Sequence, residues 1–128
     1  MKKIRILIAD EHDLTREGMV AMLSLEPDME VVGEARDGIQ TVELAKKLKP
    51  DVTILELLMP LQDGMTTMAA LKVSVPTTRI LVLTNFADKD TVHKAINAGA
   101  LGYMLKDSTR SQIVQAIRDI ANGQPYIK

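Results

Sequence analysis

Three short stretches of the chain are almost continuously apolar: "IRILIA" (Ile4 to Ala9), "TILEL" (Thr53 to Leu57) and "RILVLT" (Arg79 to Thr84). Runs of this length without polar alternation predict strands covered on both faces, in the middle of a parallel sheet. "MEVVGEA" (Met29 to Ala35) and "GYMLK" (Gly102 to Lys106) are shorter or more mixed and are expected nearer the edges. Between these runs the apolar positions change to a helical spacing. Leu14, Gly18, Met22 and Leu25 form one stripe, with Asp13 as the expected N-cap, and Val42, Ala45 and Leu48 form a second, ended by Pro50. Met65, Met68 and Leu71 make a third, and Val92, Ala95 and Ile96 a fourth that stops at "NAGA". Ile113, Val114, Ile117, Ile120 and Ala121 have the clearest period and end at "NG".

Strand and helix therefore alternate five times, with no repeat at solenoid spacing and no internal linker. That alternation predicts a parallel sheet with right-handed crossovers and helices on both faces. In such folds chemistry gathers beyond the carboxyl ends of the strands. Asp10 and Glu11 follow the first strand, Glu56 lies near the end of the third, Thr84 ends the fourth and Lys106 ends the fifth. With those four strands side by side, three carboxylates, a hydroxyl and an ammonium face one pocket. Three carboxylates together raise one another's pKa unless a cation intervenes. Mg²⁺, a hard ion that takes one or two carboxylates and phosphate oxygens, suits them best. A phosphoryl group entering the pocket would meet the metal, Lys106 and the Thr84 hydroxyl, the neutralising parts that phosphoryl transfer needs.

Composition narrows the partners. A chain of 128 residues with 46% hydrophobic content is sized for one domain and one core. Cysteine is absent, which excludes disulfides, thiolate catalysis and Cys-ligated zinc and points to a cytoplasmic setting. No apolar run is long enough to span a bilayer, so no membrane association is expected. Sixteen Lys and Arg against seventeen Asp and Glu leave a net charge of −1 without a basic stripe, and Phe86, Tyr103 and Tyr126 are the whole aromatic set. Direct nucleic-acid binding is not expected of such a surface.

The stretches "ILIADEHDLTREGM", "DVTILELLMPLQDGM", "ILVLTNFAD" and "AGALGYMLKDS" resemble the receiver domains of two-component response regulators, the NarL/FixJ group above all, over essentially the whole chain. The resemblance implies a flavodoxin-like (βα)5 three-layer sandwich with a five-stranded parallel sheet in the order 2-1-3-4-5. It implies that Asp10 and Glu11 hold Mg²⁺, Glu11 directly, with Glu56 and the backbone carbonyl of Leu58 completing the protein's share. Glu56 takes the phosphoacceptor position, Thr84 and Lys106 contact the phosphoryl group, and Tyr103 matches an aromatic whose rotation reports activation. It further implies a phosphorelay switch rather than an enzyme, partnered by a sensor histidine kinase, by a second copy as a homodimer, and by a C-terminal DNA-binding output domain that regulates transcription. Residues 1–128 are then one receiver domain, and the helix-turn-helix output domain is not present in this chain.

One position departs from the family pattern. Receivers carry Asp where this chain has Glu56. The extra methylene moves the carboxylate by about 1.5 Å, where ~1 Å of misplacement can cost on the order of a hundredfold. Three accounts compete: a phosphomimic, natural or engineered, reaching towards Lys106 and Thr84; a degenerate pseudo-receiver that binds partners independently of phosphorylation; and slow formation of a glutamyl phosphate. Other functions fit less well. No Gly-rich loop follows the first strand to cradle a flavin phosphate, and no second acid follows Glu56 to serve a phosphatase. Plainer roles stand beside these. Asp10 and Glu11 suit a helix dipole, His12 and His93 are solvated by default, the eight Met fill core gaps, and Gly64 supplies a positive φ.

Overall fold

The computed structural model describes residues 2–127, so the two end positions of the expected domain lie outside it. Among the described residues six strands and five helices alternate: β1 (Ile4–Ala9), α1 (Asp13–Leu23), β2 (Met29–Ala35), α2 (Gly38–Leu48), β3 (Val52–Leu55), α3 (Gly64–Ser74), β4 (Arg79–Thr84), α4 (Lys89–Asn97), β5 (Ala100–Leu105), α5 (Arg110–Ala121) and β6 (Tyr126–Ile127). The sheet runs β2-β1-β3-β4-β5-β6. The paired strands are parallel throughout. The expected order of the first five strands holds, and the expected count of five is corrected to six. The last strand is two residues long and pairs with Gly102 and Tyr103, too short to carry a periodic signal, and it makes β5 an interior strand.

The pleat of the central strands divides the core. Ile6, Ile8, Ile54, Leu81 and Leu83 face α1 and α5, joining Met19, Leu23, Ile113, Ile117 and Ile120. Leu7, Ala9, Leu55, Ile80 and Val82 face the other side, with Ala45 of α2, Met68 and Leu71 of α3 and Ala95 of α4. Period-two alternation thus serves two apolar layers at once, which is why these strands read as unbroken apolar runs. Local signals fix the helix starts. Asp37, Asp63 and Asp88 accept hydrogen bonds from the amides of Gln40, Thr66 and Thr91, and Thr109 forms a reciprocal capping box with Gln112.

Two local expectations change. Helix α1 is preceded by His12 and has no side-chain cap, so Asp13 is its first residue rather than its cap. Its buried face is Arg16, Met19 and Leu23, while Leu14 and Leu25 are 83% and 65% exposed. The expected stripe failed because the true one contains an arginine, a residue seldom buried without partners. Gly64 does not have a positive φ; the left-handed positions are Lys49, Leu61, Gly99 and Gly123. What Gly64 provides is room, since a Cβ there would lie 2.5 Å from the Leu57 Cα.

Candidate functional site

Parallel strands ending in register bring distant residues to one edge. Ala9 and Leu55 are paired neighbours on β1 and β3, so Asp10 and Glu56, each one residue further on, leave the sheet side by side. The Glu56 amide donates to the Ala9 carbonyl at 3.0 Å, and the Lys106 amide to the Thr84 carbonyl at 2.8 Å. These backbone bonds position three side chains before any of them interacts.

The Lys106 ammonium lies between the two acids, 2.6 Å from Asp10 Oδ2 and 2.7 Å from Glu56 Oε1. Both acids are nearly fully buried and Lys106 mostly so. The second oxygen of each carboxylate is also occupied. Asp10 Oδ1 accepts from the His12 amide at 2.9 Å and stands 3.0 Å from His12 Nδ1. Glu56 Oε2 accepts from the amides of Leu57 at 2.7 Å and Leu58 at 3.3 Å. Burial pushes the Asp10 carboxyl up, but the bonds from Lys106 and His12 outweigh it and hold the group below its ordinary value. Burial likewise pulls the Lys106 ammonium down, and its bonds to Asp10 and Glu56 raise it above the ordinary lysine value.

The remaining candidates are placed less tightly. Glu11 is exposed, its Oε1 4.0 Å from His12 Nε2, and among the described residues no three acidic or histidine side chains form a ready-made metal cage. Leu58 is exposed and contributes an amide to Glu56. Thr84 is fully buried, and its hydroxyl has no partner among the described residues. Glu56 therefore reaches Lys106 as the mimic account expects, but not Thr84. Tyr103 is fully buried with its hydroxyl donating to the Phe86 carbonyl at 2.7 Å. Burial, followed by the nearby charges of Asp88 and Glu56, pushes that phenol up.

Two residues of this region were passed over in the sequence. His12 is solvated as expected, its side chain 62% exposed, but its amide and ring also contact Asp10; its place directly after two acids is the available signal. Arg16, buried on α1, holds the Asp10 carbonyl at 2.6 Å, and nothing in the hydrophobic pattern marks it.

The model of the response regulator receiver domain matches residues 6–118. The chain belongs to that family. The transcriptional regulatory protein LiaR of Bacillus subtilis is 42% identical over 125 residues, covering 98% of this chain and 59% of its own length. A probable transcriptional regulatory protein NarL of Mycobacterium tuberculosis is 41% identical over 126 residues, covering 98% and 58%. The solved signal receiver domain of the putative response regulator NarL from Mycobacterium tuberculosis superposes with a TM-score of 0.93 at 42% identity, over 97% of this chain and 100% of that one. This receiver is of the NarL/LuxR type and spans under three fifths of its curated relatives, 59% and 58%. Receiver domains are regulatory, take part in phosphotransfer, and generally bind Mg²⁺ at the phosphorylation site. No helix of the described residues is long and apolar enough to cross a membrane.

Proposed function

We propose that this receiver is a signalling switch in which Glu56 occupies the phosphoacceptor position and acts as a built-in substitute for phosphoryl charge. The observation that carries this reading is the Lys106 ammonium held 2.7 Å from Glu56 and 2.6 Å from Asp10. A lysine that would otherwise attend a phosphoryl group is engaged by a permanent carboxylate. The inward Tyr103, bonded to the Phe86 carbonyl, agrees with an active-like state of the face built from α4, β5 and α5. The reading as a partner-binding module without phosphate chemistry is less well supported, because Asp10, Thr84 and Lys106 all remain at the site.

Mg²⁺ fits the donor set. Two buried carboxylates share one ammonium, so two negative charges against one positive leave a net −1, and the acids offer the hard oxygen ligands that Mg²⁺ prefers. Asp10 and Glu11, with Glu56 and the Leu58 carbonyl, would hold it. When bound it would neutralise charge on phosphoryl oxygens. For the rest, Lys106 balances the acids, the Leu57 and Leu58 amides orient Glu56, and Thr84 keeps a hydroxyl with no partner among the described residues. The relatives' description as transcriptional regulatory proteins supports a cytoplasmic setting, a sensor histidine kinase upstream and a DNA-binding output domain, with no nucleic-acid contact by the receiver itself. A homodimer of receivers fits the same scheme.

Incubation with a small phosphodonor and Mg²⁺ should leave the chain unmodified by mass spectrometry, while Glu56→Asp should take up an acyl phosphate. Phosphate on Glu56 of the unaltered chain would overturn the assignment. Glu56→Gln, which removes the charge and keeps the shape, should move the Tyr103 ring resonances; if they stay in place, Glu56 does not set the state.

A further inference from the structure

A buried arginine stands beside the acid pocket with no part in the chemistry described so far. Arg16 is 4% exposed, and its three kinds of nitrogen serve three segments. Nη1 donates to the Asp10 carbonyl at 2.6 Å, Nε donates to Glu34 Oε1 on β2 at 3.3 Å, and Nη2 donates to Asp13 Oδ1 in the first turn of α1. Asp13 is in turn 3.6 Å from Arg36.

We infer that Arg16 is a positioning residue for the acid loop, fixing where Asp10 and Glu11 stand and so setting the pocket's affinity for a divalent cation. The inference rests on the cation reading of the pocket given above. Asp10 leaves the sheet as its amide donates to the Ala35 carbonyl at 3.0 Å, and its own carboxylate closes a turn onto the His12 amide at 2.9 Å. Its carbonyl is the third handle, and Arg16 grips it. With the amide, side chain and carbonyl all engaged, the peptide that leads into Glu11 has little freedom to rotate. Arg16 works through that peptide rather than through the carboxylate, whose own partners are Lys106 and His12.

The geometry also explains why the residue is arginine. A guanidinium presents its donors in a rigid fork and can meet three acceptors from different directions, whereas a lysine ammonium is one flexible point. The same three acceptors explain how α1 can bury a cation on the face that packs against the sheet. Supporting groups of this kind typically alter metal affinity by about 10–100-fold when removed.

The test uses Arg16→Met, which keeps much of the side-chain bulk, and Arg16→Lys, followed by amide resonances during Mg²⁺ titration and by hydrogen exchange. Both variants should weaken Mg²⁺ binding by about tenfold or more. They should also speed exchange at the His12 amide by a similar factor, while the amides of Leu81 and Val82 in β4 stay within about twofold. Glu34→Gln, which removes the charge of one anchor and keeps its acceptor oxygen, should shift both quantities the same way by less. Mg²⁺ affinity within about twofold of the unaltered chain, where that chain binds the ion, overturns the inference. So does a uniform loss of protection across the sheet, which would make Arg16 merely structural. If the unaltered chain takes up no Mg²⁺, the cation reading itself fails, and exchange at His12 alone then decides whether Arg16 positions the loop.

Discussion

Lys106→Met isolates the central electrostatic contact, because it keeps an apolar stem and removes only the charge. Two close pairs disappear, at 2.6 Å to Asp10 and 2.7 Å to Glu56, and two buried acids are left facing each other. At these separations each pair is a Coulomb attraction of about 6 kcal/mol at an effective dielectric near 20, offset by the desolvation that the ammonium itself no longer incurs. Removing one partner of a buried pair typically costs about 3–5 kcal/mol; with the Lys106 side chain 13% exposed, the expected loss at neutral pH is about 2–4 kcal/mol. The pH dependence gives the sharper test. In the unaltered protein the Asp10 carboxyl is held below its ordinary value, so its contribution is full above the unfolded pKa, about 3.9, and is lost as pH falls through the folded value. Without Lys106 the burial that pushes this carboxyl up is less opposed, and protonation becomes less costly. The stability gap between the two proteins should therefore narrow towards acid. It should narrow again in alkali, because Lys106 is raised and its contribution, full below about 10.4, is lost as pH rises through the folded value. Urea unfolding followed by circular dichroism should register the neutral-pH loss as a midpoint lower by about 1–2 M. A gap that stays constant within about 0.5 kcal/mol from acid to neutral pH would refute the argument.

Two further substitutions probe the scaffold. Gly102→Ala would place a Cβ 2.3 Å from Ile120 Cδ1, 2.8 Å from Leu81 Cδ1 and 3.2 Å from the Tyr126 carbonyl. It should cost about 1–3 kcal/mol by overpacking and free β6 from the sheet, read as lost protection of the Tyr126 and Ile127 amides. Arg118 joins Asp28 through two bonds at 2.9 and 3.0 Å and Glu26 at 2.8 Å, at a partly exposed site tying α5 to the segment before β2. Arg118→Gln should lower the thermal midpoint at low salt, and the difference should shrink in high salt as exposed charges are screened; a salt-independent difference would mean that packing, not charge, is lost.

What the sequence could reveal follows from which forces are local. The central strands were legible because burial on both faces leaves an apolar run, and the strand-end residues Asp10, Glu56, Thr84 and Lys106 were legible because parallel topology sends strand ends to one edge. Glu56 and Lys106 each lie one residue beyond their strands, so the charges are at the exit, not inside. Helix α1 was misread because its buried stripe includes Arg16, whose partners Asp10, Asp13 and Glu34 become neighbours only on folding. Exposed Leu14 and Leu25 then supplied a false stripe. The position of Glu11 was likewise invisible, since adjacency in sequence to a buried acid does not fix where the next side chain points.

On the proposed reading of Glu56 as a substitute for phosphoryl charge, the buried Thr84 hydroxyl limits how complete the substitution could be. A phosphoryl group offers three acceptor oxygens, whereas a carboxylate offers two. Both Glu56 oxygens are in use, one on Lys106 and the other on the amides of Leu57 and Leu58. Neither reaches Thr84, whose hydroxyl is fully buried and without a partner among the described residues. On that proposal the carboxylate would replace charge but not the contact to Thr84. An unpaired buried polar group costs about 1–3 kcal/mol, so Thr84→Val, which exchanges that hydroxyl for a methyl of similar size, should leave the chain as stable or raise it by about 1 kcal/mol. In Glu56→Asp, if the domain then takes up phosphate, the same substitution should instead speed decay of the active-like Tyr103 signal, because the third oxygen has found the donor that Thr84→Val removes. Thermal unfolding of the Glu56 chain with and without Thr84→Val checks the first half. A loss of about 1 kcal/mol or more would mean that the hydroxyl already has a partner, and that Glu56 imitates the phosphoryl group more fully than two oxygens allow.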